Sequence, residues 1–334
     1  MKTKFKIIGL ALALVAVTWV YREYGRNGVQ DNIKILPISL NLGQGGNYDP
    51  VLRKEGSDSQ ELNPFHSSME ARQNARKRLI EEFCRKTGHN TMPVPRHIDV
   101  IESLNMLYCV TPKVGSRQWR AMLLRFTDGP PHETLLDYPQ DHREHMLKNY
   151  FKFTFVREPF ERLLSAYKDK FVYIRGIDHR MLKLHGREIL KHFRPNATEH
   201  AREKLDDITF KEFIEYLVTK GSNESSPIMD WHWDNYLHTC GMCAMKYDFI
   251  GHYETFNQDI EDFKKAAKLS PDQAKRFKAQ EKNISSTATS MLGYYSKLPL
   301  KWINKLADLY RPTLEMFDYK FPGPLKTLFE NEAN

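Results

Sequence analysis

Lys113, Ser116 and Arg117 cluster directly after a β-branched and aromatic run, and Arg157 and Ser165 follow a second such run. Ammonium, hydroxyl and guanidinium groups gathered at a turn supply donors and positive charge, which is the chemistry of oxyanion binding. In the first stretch, Tyr108-Cys-Val-Thr-Pro-Lys-Val-Gly-Ser-Arg-Gln-Trp119, Gly115 lets the backbone come close to a ligand. A helix starting near Ser116 aims free N–H groups at the same place. The stretch reads as a phosphate cradle, but not as the common ATP cradle, because Gly-x-x-x-x-Gly-Lys-Ser/Thr occurs nowhere in the sequence.

The second stretch, Phe153-Thr-Phe-Val-Arg-Glu-Pro-Phe-Glu-Arg-Leu-Leu-Ser-Ala-Tyr167, places Arg157 at a strand end and Ser165 along the helix that follows. A phosphate resting beside that helix is within reach of both. The competing reading makes Arg157-Glu158 and Glu161-Arg162 ordinary surface pairs of a capped helix.

The elements that position these residues follow from the pattern. Leu104 to Val110 reads as a strand ended by Thr111-Pro112, Phe151 to Val156 alternates like a strand, and Pro159 suits the first turn of a helix reaching about Phe171. A further strand-like run, Tyr247 to Tyr253, completes an α/β pattern: a P-loop-like parallel sheet flanked by helices, with its ligand at the carboxyl ends of the strands. Phe210, Phe213, Ile214 and Leu217 are spaced for one buried helical face, and Ile303, Leu306, Leu309 and Tyr310 for another. Residues 173–206 are basic and weakly periodic, and read as a surface insertion lining an acceptor groove. Internal repeats and low-complexity tracts are absent from the sequence.

Together the two stretches resemble the cofactor-binding pair of sulfotransferases that use 3′-phosphoadenosine 5′-phosphosulfate (PAPS), and most of all the Golgi carbohydrate sulfotransferases that include the chondroitin and dermatan 4-O-sulfotransferases. Gly186-Arg-Glu-Ile-Leu-Lys-His-Phe-Arg-Pro-Asn-Ala-Thr198, His232-Trp233 followed by Cys240-Gly-Met-Cys243, and Tyr247-Asp-Phe-Ile-Gly-His-Tyr-Glu-Thr255 extend the likeness, which runs in order from Phe83 to Tyr319. The resemblance implies a sulfotransferase-type fold. It also implies that Pro112, Lys113, Val114, Gly115, Ser116, Arg117 and Gln118 bind the 5′-phosphosulfate. The 3′-phosphate would then be bound by the stretch Arg157, Glu158, Pro159, Phe160, Glu161, Arg162, Leu163, Leu164 and Ser165. The chain departs from the family pattern at Ser116, where cysteine is usual, and at the bulky Arg117, where a small hydroxyl residue is usual.

Sulfuryl transfer asks a protein to align donor and acceptor, neutralise the leaving phosphate and take a proton from the attacking hydroxyl. Lys113 is the candidate for charge stabilisation at the bridging oxygen. His132, in a Gly-Pro-Pro turn after the first motif helix, is the expected base, and His232 is the second candidate; the bland reading of His232 is a histidine packed beside Trp231 and Trp233. Glu158 and Glu161 are expected to be weak bases, their pKa values lowered by neighbouring arginines. The chemistry needs no metal.

A chain of 334 residues can bury one sizeable core with sequence to spare for a stem. Lys2, Lys4 and Lys6 precede the uncharged run Ile7 to Tyr21, which Arg22 and Glu23 close. Residues 1–6 are therefore expected to be a cytosolic tail, 7–22 a signal-anchor transmembrane helix, 23–80 a luminal stem and 81–334 the catalytic domain. The rival is a cleaved signal peptide with Ala11, Ala13 and Ala16 near the cut. Either way the rest enters the secretory lumen, and the expected address is the Golgi membrane. The sequons at Asn196, Asn223 and Asn283 agree with that compartment. Cys84, Cys109, Cys240 and Cys243 could form two disulfides in any of three pairings there. Cys240 and Cys243 could instead join His232 and His238 around zinc, or act as a redox pair.

The formal charge of +8 is clustered in Arg72, Arg76, Lys77, Arg78, Arg85 and Lys86, and again in Lys183, Arg187, Lys191, His192 and Arg194. Solvated helix faces explain such clusters, while a polyanionic glycosaminoglycan acceptor gives them a use. Nucleic acid is not expected, since no nucleic-acid module is recognisable. A homo-oligomer is compatible with the sequence. Three rival functions are a luminal glycosyltransferase, a nucleotide kinase and a non-catalytic glycosaminoglycan-binding protein. The first commonly needs an Asp-x-Asp pair, which the sequence lacks; the second needs a Walker or kinase-type glycine loop; the third leaves the paired phosphate motifs unexplained.

Overall fold

The computed structural model describes residues 68–89, 94–127, 133–173, 182–205, 207–221, 229–278 and 288–330. Four strands, β1 (Ile98–Ile101), β2 (Met106–Cys109), β3 (Phe151–Val156) and β4 (Phe249–His252), form one sheet in the order β1-β2-β3-β4. β2 and β3 pair in parallel with Tyr108 opposite Phe153, and β3 and β4 in parallel with Thr154 opposite Ile250. Parallel neighbours require crossovers, and the chain makes them through helices, so both faces of the strands are buried.

Three of the strands were expected and one was not. β1 runs antiparallel to β2, with Asp99 opposite Tyr108, so the sheet is mixed rather than wholly parallel. A buried aspartate in a four-residue run argues against a strand. Asp99 is tolerated there because Arg120 clasps both its oxygens at 2.9 Å. The first expected strand also begins later than Leu104, which lies in a 3₁₀ turn.

Helix α1 (Met69–Thr87) covers the free edge of β4. The Gln73 side-chain amide imitates a neighbouring strand: it donates to the Ile250 carbonyl at 3.0 Å and accepts from the Ile250 N–H at 2.9 Å. Arg76 grips Asp259 and Arg72 pairs with Asp262, so two members of the first basic cluster act inside the fold. Cys84–Cys243 and Cys109–Cys240 are disulfides, spanning 159 and 131 residues. The zinc and redox readings of Cys240 and Cys243 are thereby overturned, because each thiol is bonded to a distant cysteine.

The motif helices are α2 (Ser116–Leu123) and α4 (Pro159–Tyr167), with α3 (Gln140–Asn149) between them. α4 ends before Phe171 and continues as a π-helical turn, Lys168–Val172. Trp119 is fully buried against Phe153 and Phe155, so the first motif helix is pressed onto the strand that leads into the second motif. A second core gathers α4, α5 (Phe210–Lys220) and α6 (Leu300–Leu309), and the expected faces are buried, with Leu309 only partly so. Leu182, His185, Ile189, Leu190 and Leu205 also enter this core, so the stretch 173–206 is more than a surface insertion. Among the described residues no helix is long and apolar enough to cross a membrane; residues 1–67, which include the expected anchor, lie outside them.

Candidate functional site

The carboxyl ends of β2 and β3 lie side by side and are stitched together by Thr111, whose hydroxyl donates to the Phe155 carbonyl at 2.9 Å. Beyond Thr111 the chain turns through Lys113 and Gly115, both at positive φ, 73° and 82°. A Cβ on Gly115 would stand 3.0 Å from Phe256 and 3.4 Å from Tyr253, so the turn needs glycine for space as well as for backbone angle. Gly115 caps α2 without a side-chain hydrogen bond, and the Gln118 N–H turns back to the Gly115 carbonyl at 2.9 Å. This is the turn on which the sequence reading places the 5′-phosphosulfate.

Arg157 leaves β3 toward the same place. Its Nη1 donates to the Lys113 carbonyl at 3.1 Å, its Nη2 meets Glu161 at 3.0 Å, and its plane covers the Tyr253 ring at 4.5 Å. Its Nε is buried with no hydrogen-bond partner among the described residues. A buried charged donor without a partner is costly, and a phosphate oxygen would satisfy it. Ser165 is partly exposed, about two turns along α4, the helix that follows Arg157. An orphaned guanidinium N–H, a helix start at a glycine and a half-buried lysine fit a nucleotide carrying two phosphates.

The remaining residues of the two expected sets divide by burial. Val114, Phe160, Leu163 and Leu164 face the cores, and Pro112 and Pro159 are buried backbone positions. Ser116 and Gln118 are partly exposed, and Arg117 projects into solvent with 75% of its side chain accessible. Arg162 is turned wholly inward. Glu158 differs from expectation: no arginine lowers it. It caps α4 by accepting from the Glu161 N–H at 2.7 Å, and burial pushes its carboxyl up to about 8.

Asp169 is the residue that sequence reading missed. It lies 3.5 Å from Lys113, 3.3 Å from Arg117 and 3.4 Å from Lys170. Burial opposes its ionisation, but Lys113, Lys170 and Arg117 outweigh this and hold it below the usual carboxylate range. Burial brings the Lys113 ammonium down to about 8 despite Asp169. The only sequence signal for Asp169 was an acid between two lysines directly after α4.

His232 stands in a turn before the short helix Tyr236–Thr239. Its Nδ1 lies 2.5 Å from Asp230, whose carboxylate also accepts the His232 backbone N–H at 2.9 Å. A carboxylate at Nδ1 requires the proton there and leaves Nε2 as the acceptor. Burial lowers the histidine pKa, against the pull of Asp230, so the imidazole is neutral near pH 7. Asp169 and Lys170 also act electrostatically on His232, which brings the dyad into the neighbourhood of the Lys113 cluster. The packing reading holds only in part: Trp231 meets the ring edge-on at 4.9 Å, with Trp233 at 6.4 Å. His132 lies outside the described residues, as do Asn223 and Asn283, whereas Asn196 is exposed in a turn. Among the described residues no cluster of histidine, cysteine, aspartate and glutamate side chains could hold a metal.

Comparison with known proteins identifies the family. Residues 96–320 match the profile described as "Sulfotransferase family". Carbohydrate sulfotransferase 11 of Rattus norvegicus is 31% identical over 248 residues, covering 69% of this chain and 69% of that protein. Carbohydrate sulfotransferase 14 of Homo sapiens is 29% identical over 324 residues, covering 90% and 82%. Carbohydrate sulfotransferase 8 of Homo sapiens is 30% identical over 279 residues, covering 76% and 64%. No solved structure gives a significant match.

Proposed function

Since the chain belongs to the sulfotransferase family, we propose that this enzyme, which transfers a sulfuryl group to a glycan, takes the group from PAPS and delivers it to a hydroxyl of N-acetylgalactosamine in chondroitin- or dermatan-type chains. The observation that carries the donor assignment is the orphaned Nε of Arg157, whose Nη1 reaches the Lys113 carbonyl in the turn leading into α2, at the ends of two neighbouring parallel strands. Lys113 and the first-turn N–H groups of α2 hold the 5′-phosphosulfate. Arg157 and Ser165 hold the 3′-phosphate.

His232 removes the proton from the acceptor hydroxyl through Nε2, with Asp230 fixing the ring and stabilising the imidazolium that forms. The hydroxyl oxygen forms a bond to sulfur as the bond from sulfur to the bridging phosphate oxygen breaks. Lys113 meets the negative charge appearing on that oxygen, which leaves with adenosine 3′,5′-bisphosphate. Of the two histidines expected as base, the Asp230 contact favours His232.

The lysine-flanked apolar run, the stem-like composition and the exposed Asn196 support a type II Golgi membrane protein with a glycosylated luminal domain, and two disulfides suit that compartment. Labelled-sulfate transfer across chondroitin, dermatan, heparan and simple N-acetylgalactosamine glycans, followed by disaccharide analysis, tests the acceptor. Label confined to heparan products would overturn it.

A further inference from the structure

Arg162 is a guanidinium only 2% exposed, and each of its three nitrogens donates to a backbone carbonyl of a different stretch or residue: Nε to Pro112 at 3.3 Å, Nη1 to Asp234 at 2.6 Å and Nη2 to Trp231 at 3.0 Å. Pro112 begins the donor cradle, while Trp231 and Asp234 bracket His232. The guanidinium is packed over the Tyr236 ring at 4.6 Å, and the Tyr236 hydroxyl accepts from the Arg157 backbone N–H at 2.9 Å. One side chain and its aromatic platform therefore touch the 5′-phosphate loop, the 3′-phosphate turn and the loop bearing the Asp230–His232 dyad. The Cys109–Cys240 disulfide holds the far end of the last loop to β2.

We propose that Arg162 is a positioning residue that sets the placement of the His232 loop relative to the donor cradle, rather than a ligand of the 3′-phosphate. This rests on the sulfotransferase reading of the site. A planar fork of fixed dimensions transmits position in a way that a flexible ammonium cannot. Each of its three nitrogens is engaged with a carbonyl inside the protein and the side chain is buried, so it is not presented to a phosphate. Misplacement of a catalytic group by about 1 Å costs on the order of 10² in rate, whereas donor binding needs only the cradle and Arg157.

The test is a double-mutant cycle on the full chain, using Arg162→Lys and His232→Ala, with adenosine 3′,5′-bisphosphate affinity measured by calorimetry and turnover expressed per binding-competent molecule. Arg162→Lys is expected to lower kcat by about 10²-fold while bisphosphate affinity changes by less than about threefold, and to add almost nothing to the His232→Ala defect. Equal losses of rate in both backgrounds, or a loss of affinity matching the loss of rate, would overturn the positioning role. Should Arg162→Lys fail to fold, hydrogen exchange on the unmodified protein decides. Adding the bisphosphate should slow exchange at residues 231–235 as well as in the cradle, and protection confined to the cradle refutes the coupling. A wild-type protein that binds no bisphosphate would remove the sulfotransferase reading and this inference together. Binding with an additive cycle removes the inference alone.

Discussion

The Lys113 ammonium stands 3.5 Å from the Asp169 carboxylate, although burial makes that ammonium unusually easy to deprotonate. Lys113 is charged below its pKa of about 8, so transition-state stabilisation that depends on its charge is complete below that pH and lost above it. The kcat/KM profile for the donor should therefore fall above about pH 8 in the wild type, and Lys113→Arg should carry its residual activity to higher pH. A profile flat to pH 10 would show that Lys113 charge is not used.

Asp169→Asn removes the carboxylate that favours the charged form of Lys113 and leaves the Arg117 and Lys170 cations that disfavour it. The basic limb should then move to lower pH. A pH–rate series on this variant reads the shift directly, and an unmoved or raised limb contradicts the pairing.

His232→Ala should reduce transfer by about 10²- to 10⁴-fold with little change in adenosine bisphosphate affinity, since a base touches the acceptor and not the nucleotide. Asp230→Asn should show a smaller loss, through the wrong tautomer. Burial lowers the His232 pKa, so wild-type activity should persist below the usual histidine range before its acid limb begins. Near-normal turnover per folded molecule, with poor folded yield, would make His232 a packing residue only.

Replacing Cys109 and Cys240 together by alanine opens a loop of 131 residues and should cost roughly 2–5 kcal/mol, read from the denaturation midpoint. Because that bridge also pins the His232 loop to β2, kcat should fall more than donor affinity. An unchanged midpoint would mean the bridge contributes nothing to the unfolding equilibrium.

The strand–turn–helix pairs were legible because their signals are local: alternation in Phe151–Val156, Pro159 at the first turn of α4, and Gly115 at a turn only glycine fits. Phe210, Phe213, Ile214 and Leu217 were legible through periodicity alone. What escaped depends on contacts between distant segments. β1 carries an aspartate made tolerable by Arg120 from another element, and Glu158 lies near arginines in sequence yet pairs with none in space. Arg162 read as a 3′-phosphate ligand, or in the competing reading as a surface charge, because nothing local reveals that three carbonyls from two other loops enclose it. The partners of Cys240 and Cys243 were likewise fixed by tertiary approach, not by their mutual spacing.

The proposed donor site takes two separate phosphates at the ends of β2 and β3. Calorimetric titration with adenosine 3′,5′-bisphosphate and with adenosine 5′-monophosphate, on wild type and Arg157→Ala, tests it most directly. The wild type should prefer the bisphosphate, and Arg157→Ala should lose roughly 1.5–3 kcal/mol of bisphosphate affinity while binding the monophosphate almost as before. Equal affinity of the wild type for both nucleotides, or an Arg157→Ala variant that keeps the preference, would contradict the placement of the second phosphate.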